Sequence, residues 1–255
     1  MLPAPDRAEL RRINVQLTQL ALQQCAPENG VVANQILFDT LICESLLEFA
    51  AHGVTPDDLL RLSRDFDVVF PWSLAYGNVR NPFNARFVRL PLALAFPRTV
   101  DEVVAGVGFV RDHELSVSIR SGNNSYEGFS SDNDVVIDLT FLTLGRGAPD
   151  VQLRVDAGAG LVHVASGVRF GPLYTELARH ELTFAGGQCS PVYVGGFVGT
   201  GGVGFATRAF GFGCDQLVEV EYVLADGSVV VANAANQHAD LWRATKGAGA
   251  LVLEA

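Results

Sequence analysis

Two glycine-rich stretches are the most informative feature of this sequence. Residues 120–128 are Arg-Ser-Gly-Asn-Asn-Ser-Tyr-Glu-Gly, and residues 186–204 are Gly-Gly-Gln-Cys-Ser-Pro-Val-Tyr-Val-Gly-Gly-Phe-Val-Gly-Thr-Gly-Gly-Val-Gly; we call them loop 1 and loop 2. Glycine lets the backbone turn sharply and lets its N–H groups approach a ligand closely. Loop 2 contains eight glycines, more than a strand or a helix tolerates without a reason. Two such stretches point to one large, flat cofactor held from two sides.

Loop 1 follows a predicted strand over residues 116–120 and carries two hydroxyl groups, those of Ser121 and Ser125. These hydroxyls and the closely spaced N–H groups of the loop suit a pyrophosphate. An ordinary Asn/Gly/Ser turn is the alternative interpretation of loop 1 taken alone. Loop 1 matches neither Gly-x-Gly-x-x-Gly nor Gly-x-x-x-x-Gly-Lys, which excludes nucleotide loops of those two kinds at this position.

The composition favours a packed chain and limits its partners. Of the 255 residues, 49% are apolar and 18% are charged, which is the balance of a folded domain. The net charge is −10 and no basic stripe is present, so we expect no nucleic-acid partner. The most apolar stretch, residues 31–51, is too often interrupted for a membrane span. Its interruptions are Asn34, Asp39, Glu44 and Glu48.

The cysteines and the N-terminus bear on the compartment. Residues 1–9 lack the basic start and the apolar run of a secretory signal. The four cysteines form no Cys-x-x-Cys pair and no metal-ligand spacing. We therefore expect reduced thiols, no metal site, and a cytoplasmic or other non-secreted location.

Periodic apolar residues predict helices over residues 7–25 and about 34–52, and a third helix that begins at Thr55. Thr55 is followed by a proline and two acids, the composition of a helix start. Residues 1–65 are therefore predicted to form an N-terminal helical extension.

From residue 66 onward, strands and helices mix without regular alternation, which favours an α+β fold over a doubly wound sheet. Asp226 and Gly227 between two β-rich stretches predict a hairpin over residues 218–232. Further predicted strands cover residues 68–71, 116–120, 134–139, 151–156 and 161–165, and predicted helices cover residues 99–113, 171–180 and 236–246.

Residues 67–250 resemble the FAD-binding domain of the vanillyl-alcohol oxidase and para-cresol methylhydroxylase (PCMH) superfamily, in particular the berberine-bridge-enzyme-like flavin oxidases. That branch has Arg-Ser-Gly-Gly-His-Ser-Tyr-Glu-Gly, which loop 1 matches in seven of nine positions. A later Gly-x-Cys-x-x-Val-x-Val-Gly-Gly is matched by residues 187–196, and Asp-Leu-x-x-Ala-x-Lys/Arg-Gly-x-Gly by residues 240–249.

The resemblance implies a two-lobed FAD-binding domain over residues 66–255. It implies that loop 1 wraps the FAD pyrophosphate and that loop 2 lines the flavin and its ribityl chain. The implied cofactor-binding residues are Arg120, Ser121, Gly122, Asn123, Asn124 and Ser125 in loop 1, and Gly187, Cys189, Val194, Gly195, Gly196, Gly199, Gly201, Gly202 and Gly204 in loop 2.

The resemblance also bears on covalent attachment, because this branch often holds FAD through a histidine in the first loop and a cysteine in the second. Asn124 stands at the histidine position, and asparagine is no nucleophile, so no histidyl bond is expected. Cys189 is present, so a single 6-S-cysteinyl bond and non-covalent FAD both stay open. Phe197 and Thr200 replace the usual histidine and glycine of the second loop, a change that would crowd the flavin ring.

The implied activity is hydride transfer from a small organic substrate, of the alcohol or sugar class, to flavin N5. In the superfamily a substrate-binding domain supplies the catalytic base, and this sequence ends where that domain would follow. We therefore expect the substrate-binding domain to be absent and assign no catalytic residue. The alternatives are a non-catalytic scaffold or assembly protein that keeps the fold and self-associates, and a fragment of a longer oxidase.

Overall fold

The computed structural model describes residues 7–25, 38–131, 134–144 and 151–248. Within the described residues, three helices precede the first strand: α1 (Arg7–Gln24), α2 (Phe38–Ala51) and α3 (Pro56–Asp65). The predicted start of the third helix is confirmed: the Thr55 side chain accepts from the Asp58 N–H, and the Asp58 carboxylate accepts from the Thr55 N–H. The predicted beginning of the second helix, residues 34–37, and the last residues, 249–255, lie outside the described residues.

A four-stranded sheet forms the centre of the first lobe, which comprises the described residues between 66 and 144. Its strands are β1 (Val68–Val69), β2 (Ala93–Ala95), β3 (Val117–Arg120) and β4 (Val135–Asp138), in the order β1-β2-β4-β3. β1 runs antiparallel to β2, whereas β4 is parallel to both β2 and β3. Arg120 pairs with Asp138 in the β3–β4 register, so loop 1 begins where the carboxyl ends of two parallel strands lie side by side. The short helix α4 (Tyr76–Val79) and the longer α5 (Val100–Asp112) complete this lobe.

The N-terminal helices and this sheet share one hydrophobic core. Phe49 of α2 packs edge-on against Phe70, with ring centroids 6.0 Å apart, and Trp72 stacks on Phe70 at 4.8 Å. The Trp72 indole N–H donates to Thr18 Oγ1 of α1 over 3.0 Å. These contacts join residues before position 65 to residues after it, so they do not separate a helical extension from a cofactor domain. The predicted boundary at residue 65 stays a prediction.

The expectation of reduced thiols is wrong for two of the four cysteines. Cys25, directly after α1, and Cys43 in α2 form a disulfide, with Cα atoms 5.4 Å apart. The pairing depends on how α1 and α2 pack, which the spacing of the cysteines does not reveal. A bond that closes a loop of this length stabilises a fold by about 3 kcal/mol. The expected compartment rested partly on reduced thiols and stays a prediction.

The second lobe, of which the structure describes residues 151–248, contains two hairpins and four α-helices in that range. The hairpins are β5 (Leu153–Asp156) with β6 (Leu161–Val164) and β7 (Glu219–Val223) with β8 (Val229–Asn233), and the second of these confirms the predicted turn at Asp226 and Gly227. The helices are α6 (Phe170–Ala178), α7 (Val194–Gly199), α8 (Thr207–Phe210) and α9 (Ala239–Thr245).

One element of this lobe contradicts the sequence analysis, because α7 lies inside loop 2, where the glycines argued against a helix. Val194 and Val198 are one turn apart and both buried. They anchor the helix in a hydrophobic cluster with Val168, Phe170 and Leu173, and this burial outweighs the low helix propensity of glycine. The predicted α+β class is confirmed.

Membrane-spanning helices and metal-ligand clusters are both absent from the described residues. No helix within residues 7–25, 38–131, 134–144 and 151–248 has the length and apolar character that crossing a bilayer requires. Within those same ranges, no group of three or more His, Cys, Asp or Glu side chains is placed to hold a metal ion.

Candidate functional site

Hydrogen bonds from two asparagines hold loop 1 in place. Asn123 adopts a left-handed backbone conformation with φ 58°, which asparagine tolerates better than most residues. Its Nδ2 donates to the Asn81 carbonyl over 2.7 Å, and its Oδ1 accepts from Ser131 Oγ over 2.8 Å. Asn124 Nδ2 donates to the Gly122 carbonyl over 3.0 Å. Asn123 and Asn124, the two residues at which loop 1 departs from the family pattern, therefore make hydrogen bonds that stabilise the conformation of the loop.

A buried ion pair lies at the base of loop 1. Arg120 Nε is 2.5 Å from Asp138 Oδ2, and the two side chains are only 3% and 5% exposed. Arg120 Nη2 donates to the Val79 carbonyl over 2.7 Å, and Asp138 Oδ1 accepts from the Thr140 N–H over 2.9 Å. Nε and Nη2 of Arg120 thus hold the strand ends together, whereas Nη1 is buried without a hydrogen-bond partner among the described residues. The predicted contact of Arg120 with a cofactor stays a prediction.

Loops 1 and 2 lie against each other at two points. A Cβ atom added to Gly122 would overlap the Tyr193 ring, within 2.5 Å of Cγ and the adjacent ring carbons on one edge. A Cβ atom added to Gly195 would lie 2.6 Å from Ser121 Oγ and 2.6 Å from Ser166 Cβ. The structure therefore brings together three of the predicted site residues, Ser121, Gly122 and Gly195.

An unsatisfied hydroxyl lies at the same place. Gly195 N–H donates to the Ser166 carbonyl over 3.0 Å. Ser166 Oγ is buried and has no hydrogen-bond partner among the residues that the structure describes. A buried hydroxyl without a partner is costly, so a polar ligand group at this position would be favourable.

The glycines of loop 2 make room for the ring of Phe197. Added Cβ atoms on Gly187 and Gly202 would lie 3.0 Å and 2.5 Å from Phe197 ring carbons. The Phe197 ring packs edge-on against Phe170, with centroids 4.8 Å apart. At Gly204 the approach is between main chains, because an added Cβ would overlap the carbonyl oxygen of Gly186.

The other predicted residues of loop 2 differ in their surroundings. Cys189 is an exposed free thiol. Gly196 has open space where a side chain would be, and Gly201 has φ +100°. The Gly199 carbonyl accepts from the Gly247 N–H over 3.2 Å. In loop 1, Ser125 is half-buried.

Two further side chains near loop 2 have shifted pKa values. Burial raises the pKa of Tyr174, which keeps its hydroxyl protonated as the donor to the Gly187 carbonyl at 2.6 Å. Burial and the neighbouring Asp215 raise the pKa of Cys214. Since the thiolate is the reactive form of cysteine, the raised pKa and the burial of Cys214 disfavour its reaction, whereas the Cys189 thiol is exposed.

An open cleft of about 560 Å³ runs beside the contact between the loops. Its walls come from both lobes and include Thr140, Phe141, Gln152, Arg169, Pro172 and Tyr193. Arg169 Nε donates to Tyr193 Oη over 2.8 Å, and the guanidinium carbon lies 5.1 Å from the Tyr193 ring centroid. The sequence analysis missed Arg169, because a single arginine before a helix carries no recognisable pattern.

A parallel pair of strands that ends in loop 1, with the glycine-rich loop 2 packed against it, defines a FAD-binding domain of the PCMH type. A model of the family described as FAD binding domain matches residues 91–233, more than half of the chain. The chain belongs to this family, and the predicted resemblance and fold type are confirmed.

Individual relatives agree with this assignment. The chain is 31% identical over 183 residues to the FAD-linked oxidoreductase pynB of Aspergillus niger, covering 71% of this chain and 32% of that protein. It is 33% identical over 183 residues to a carbohydrate oxidase of Microdochium nivale, covering 70% and 35%. The solved structure of BBE-like 1 from Physcomitrella patens superposes with a TM-score of 0.67 at 33% identity, covering 73% and 39%. The chain thus spans about a third of the length of these relatives.

The geometry at the loops fits FAD only in part. The main-chain cradle and the unsatisfied Ser166 hydroxyl suit a phosphate-bearing ligand. The space against Gly122, however, holds the Tyr193 ring, and the space against Gly187 and Gly202 holds Phe197. In this arrangement a dinucleotide does not fit between loop 1 and residue 193.

Proposed function

We propose that this chain is the FAD-binding part of a flavin-linked oxidoreductase. The observation that carries the proposal is the contact of loop 1 with loop 2 at Ser121, Gly122 and Gly195, in a chain that belongs to the FAD binding domain family. When bound, FAD supplies acceptance of a hydride at flavin N5. We propose small alcohols or sugars as the substrate class, supported by the similarity to a carbohydrate oxidase.

The residues of this chain would bind and orient the cofactor rather than react with the substrate. Ser121, Ser125 and the N–H groups of loop 1 would hold the pyrophosphate, and the glycines of loop 2 would line the flavin. Asn124 has its amide committed to the Gly122 carbonyl and offers no nucleophile. No described residue is proposed as a catalytic base.

Cys189 is the candidate for a covalent link, with non-covalent FAD as the alternative. A thioether would replace the thiol S–H and the flavin C6–H by an S–C bond. The two electrons and two protons released in this step would pass to molecular oxygen, giving hydrogen peroxide. The exposure of the Cys189 thiol supports its access to a ligand.

An absorbance spectrum and a titration with FAD test this proposal. We expect flavin to associate with the purified protein, on its own or after addition of FAD. If the thioether forms, yellow colour survives acid precipitation in the wild type and in Cys214→Ala, but not in Cys189→Ala. Cys214→Ala is the matched control because it removes the other free thiol. Failure of the wild type and of its variants alike to take up flavin at saturating FAD contradicts the proposed function.

A second candidate is a non-catalytic scaffold or assembly protein. It is favoured by the aromatic rings that occupy the cradle and by exposed apolar side chains: Leu74 and Phe205 are each 87% exposed, and Tyr126 is 72% exposed. Self-association would cover such side chains. Light scattering after size-exclusion chromatography tests it: a flavin-free oligomer supports the scaffold, and a flavin-binding monomer contradicts it.

A further inference from the structure

We propose that Tyr193 determines whether FAD occupies this chain: its ring covers the main chain of loop 1 at Gly122 and has to leave before FAD binds. The inference rests on the proposed function and adds how that site is regulated. It follows from the observation that the space beside Gly122, where the pyrophosphate of FAD would bind, is occupied by the Tyr193 ring.

The Tyr193 ring is held on several sides. One edge lies against Gly122, where no side chain intervenes. The hydroxyl accepts the Arg169 Nε–H over 2.8 Å, and the guanidinium carbon lies 5.1 Å from the ring centroid. Residues 169 and 193 are also joined by an isolated antiparallel β-bridge. With the residue only 8% exposed, the ring is a packed part of the fold.

The ring and a pyrophosphate compete for one surface. A pyrophosphate needs direct approach to main-chain N–H groups, and a ring in contact with the Gly122 Cα blocks that approach. Only molecules whose ring has moved away are then competent to bind. The apparent affinity for FAD falls in proportion to the fraction of such molecules.

Arg169 would change partners when the ring leaves. In the present arrangement its Nε–H is donated to the Tyr193 hydroxyl. Once that acceptor moves away, the guanidinium is left beside the 560 Å³ cleft without this bond. A phosphate is a strong acceptor for a guanidinium, so Arg169 would hold the ring in the closed form and the cofactor phosphate in the open form.

The test compares dissociation constants for FAD, measured by quenching of flavin fluorescence, for the wild type, Tyr193→Gly and Tyr193→Phe. Tyr193→Gly removes the ring and is expected to bind FAD at least about tenfold more tightly. Tyr193→Phe keeps the ring and loses only the bond to Arg169, so its affinity is expected to lie between the other two. Tyr222→Phe, which removes a buried hydroxyl in β7, is the control and should bind like the wild type.

A second substitution tests the exchange of partners. Adding Arg169→Gln to Tyr193→Gly is expected to weaken FAD binding about tenfold, through loss of a charged hydrogen bond. Unchanged affinity in the double variant overturns this role of Arg169. If Tyr193→Gly does not fold, as judged by circular dichroism, Tyr193→Ala carries the same expectation.

The outcomes separate this inference from the proposed function. Equal, tight binding by the wild type and Tyr193→Gly overturns the inference about Tyr193 and leaves the proposed function standing. No binding of FAD by any variant overturns both. Hydrogen exchange at the loop 1 amides without FAD gives a readout independent of the cofactor, and it is expected to rise in Tyr193→Gly. Unchanged exchange there means that the ring does not cover the loop.

Discussion

Loop 1 and loop 2 are both rich in glycine, but a buried ion pair and the side-chain hydrogen bonds of its asparagines anchor loop 1, whereas aromatic rings pack against the glycines of loop 2 in addition to hydrogen bonds such as that from Tyr174 Oη to the Gly187 carbonyl. Under loop 1 lies the buried pair Arg120–Asp138, and Asn123 ties the loop to two neighbouring segments. In loop 2 the rings of Tyr193 and Phe197 fill the places where glycines omit side chains.

This contrast indicates which half of the site can adapt to a ligand. A hydrogen bond to a particular main-chain group fixes one conformation, and leaving it unmade is costly. A ring packed on glycine gains from non-directional burial, which a flat ligand of similar size can replace. We infer that loop 1 is the fixed half of the site and loop 2 the exchangeable half, and the predictions below test that division.

The largest expected effect is the loss of the ion pair under loop 1. Asp138→Ala leaves the Arg120 guanidinium buried without its counter-charge, and breaking such a pair costs about 3–5 kcal/mol of unfolding free energy. Urea denaturation of the variant and the wild type measures the difference.

Asp134→Ala is the control for this change. Asp134 precedes the same strand and accepts bonds from Ser116 in a more exposed place, so its removal is expected to cost about 1 kcal/mol. Equal losses for the two variants would mean that loop 1 is not held by the buried pair, and the contrast between the loops would then fail.

The next effect concerns the contact between the loops. Gly122→Ala places a methyl group into the Tyr193 ring and is expected to cost about 1–3 kcal/mol, the usual cost of overpacking. In a Tyr193→Ala background the added cost should fall to about 0.5 kcal/mol or less. Thermal or urea unfolding of the four proteins completes a double-mutant cycle.

Gly196→Ala is the matched control for that cycle, because an added Cβ atom meets nothing within 4 Å at Gly196. We expect no loss of stability, and a gain of up to about 1 kcal/mol, because Gly196 lies in α7 and alanine favours a helix more than glycine does. If Gly122→Ala lowers the unfolding free energy equally in the Tyr193→Ala background, glycine is required at this position by the backbone of loop 1 and not by contact with the Tyr193 ring.

The sequence was sufficient for the features that rest on local chemistry. The Thr55 cap, the turn at Asp226 and Gly227, and the strand that leads into loop 1 all follow from residue type and spacing. The resemblance located loops 1 and 2, and the matching family model covers loop 1 and loop 2.

The remaining features depend on how distant segments pack. The Cys25–Cys43 bond needs the relative placement of two helices, and the short helix α7 exists because its valines are buried. The approach of Tyr193 to Gly122 and the bond to Arg169 join segments far apart in the chain. No pattern in the neighbourhood of residue 193 could reveal where its ring lies.

The last and smallest predicted change in stability concerns Asp67, whose charged hydrogen bonds join the N-terminal helix α1 to the first lobe. Burial alone would raise the pKa of Asp67, but hydrogen bonds from Arg7, Arg98 and Arg11 outweigh it and hold that pKa below its usual value. The folded-state pKa is therefore lower than the unfolded value of about 3.9. The stabilisation is complete above that value and is lost as the pH falls through the folded-state pKa.

Asp67→Asn should therefore lower stability at neutral pH by about 1 kcal/mol, because the pairs are partly exposed, and should flatten the loss of stability below about pH 4. The fluorescence of Trp72, which bonds to Thr18 of α1, follows this region once Trp242 in α9 is replaced by phenylalanine. The arginines that bond to Asp67 lie in neither loop 1 nor loop 2. The affinity of Tyr193→Gly for FAD should therefore not change when Asp67→Asn is added. If Asp67→Asn and the wild type unfold identically as the pH falls, carboxylates other than Asp67 cause the loss of stability in acid. Stabilisation by a charged cluster would then be limited to loop 1.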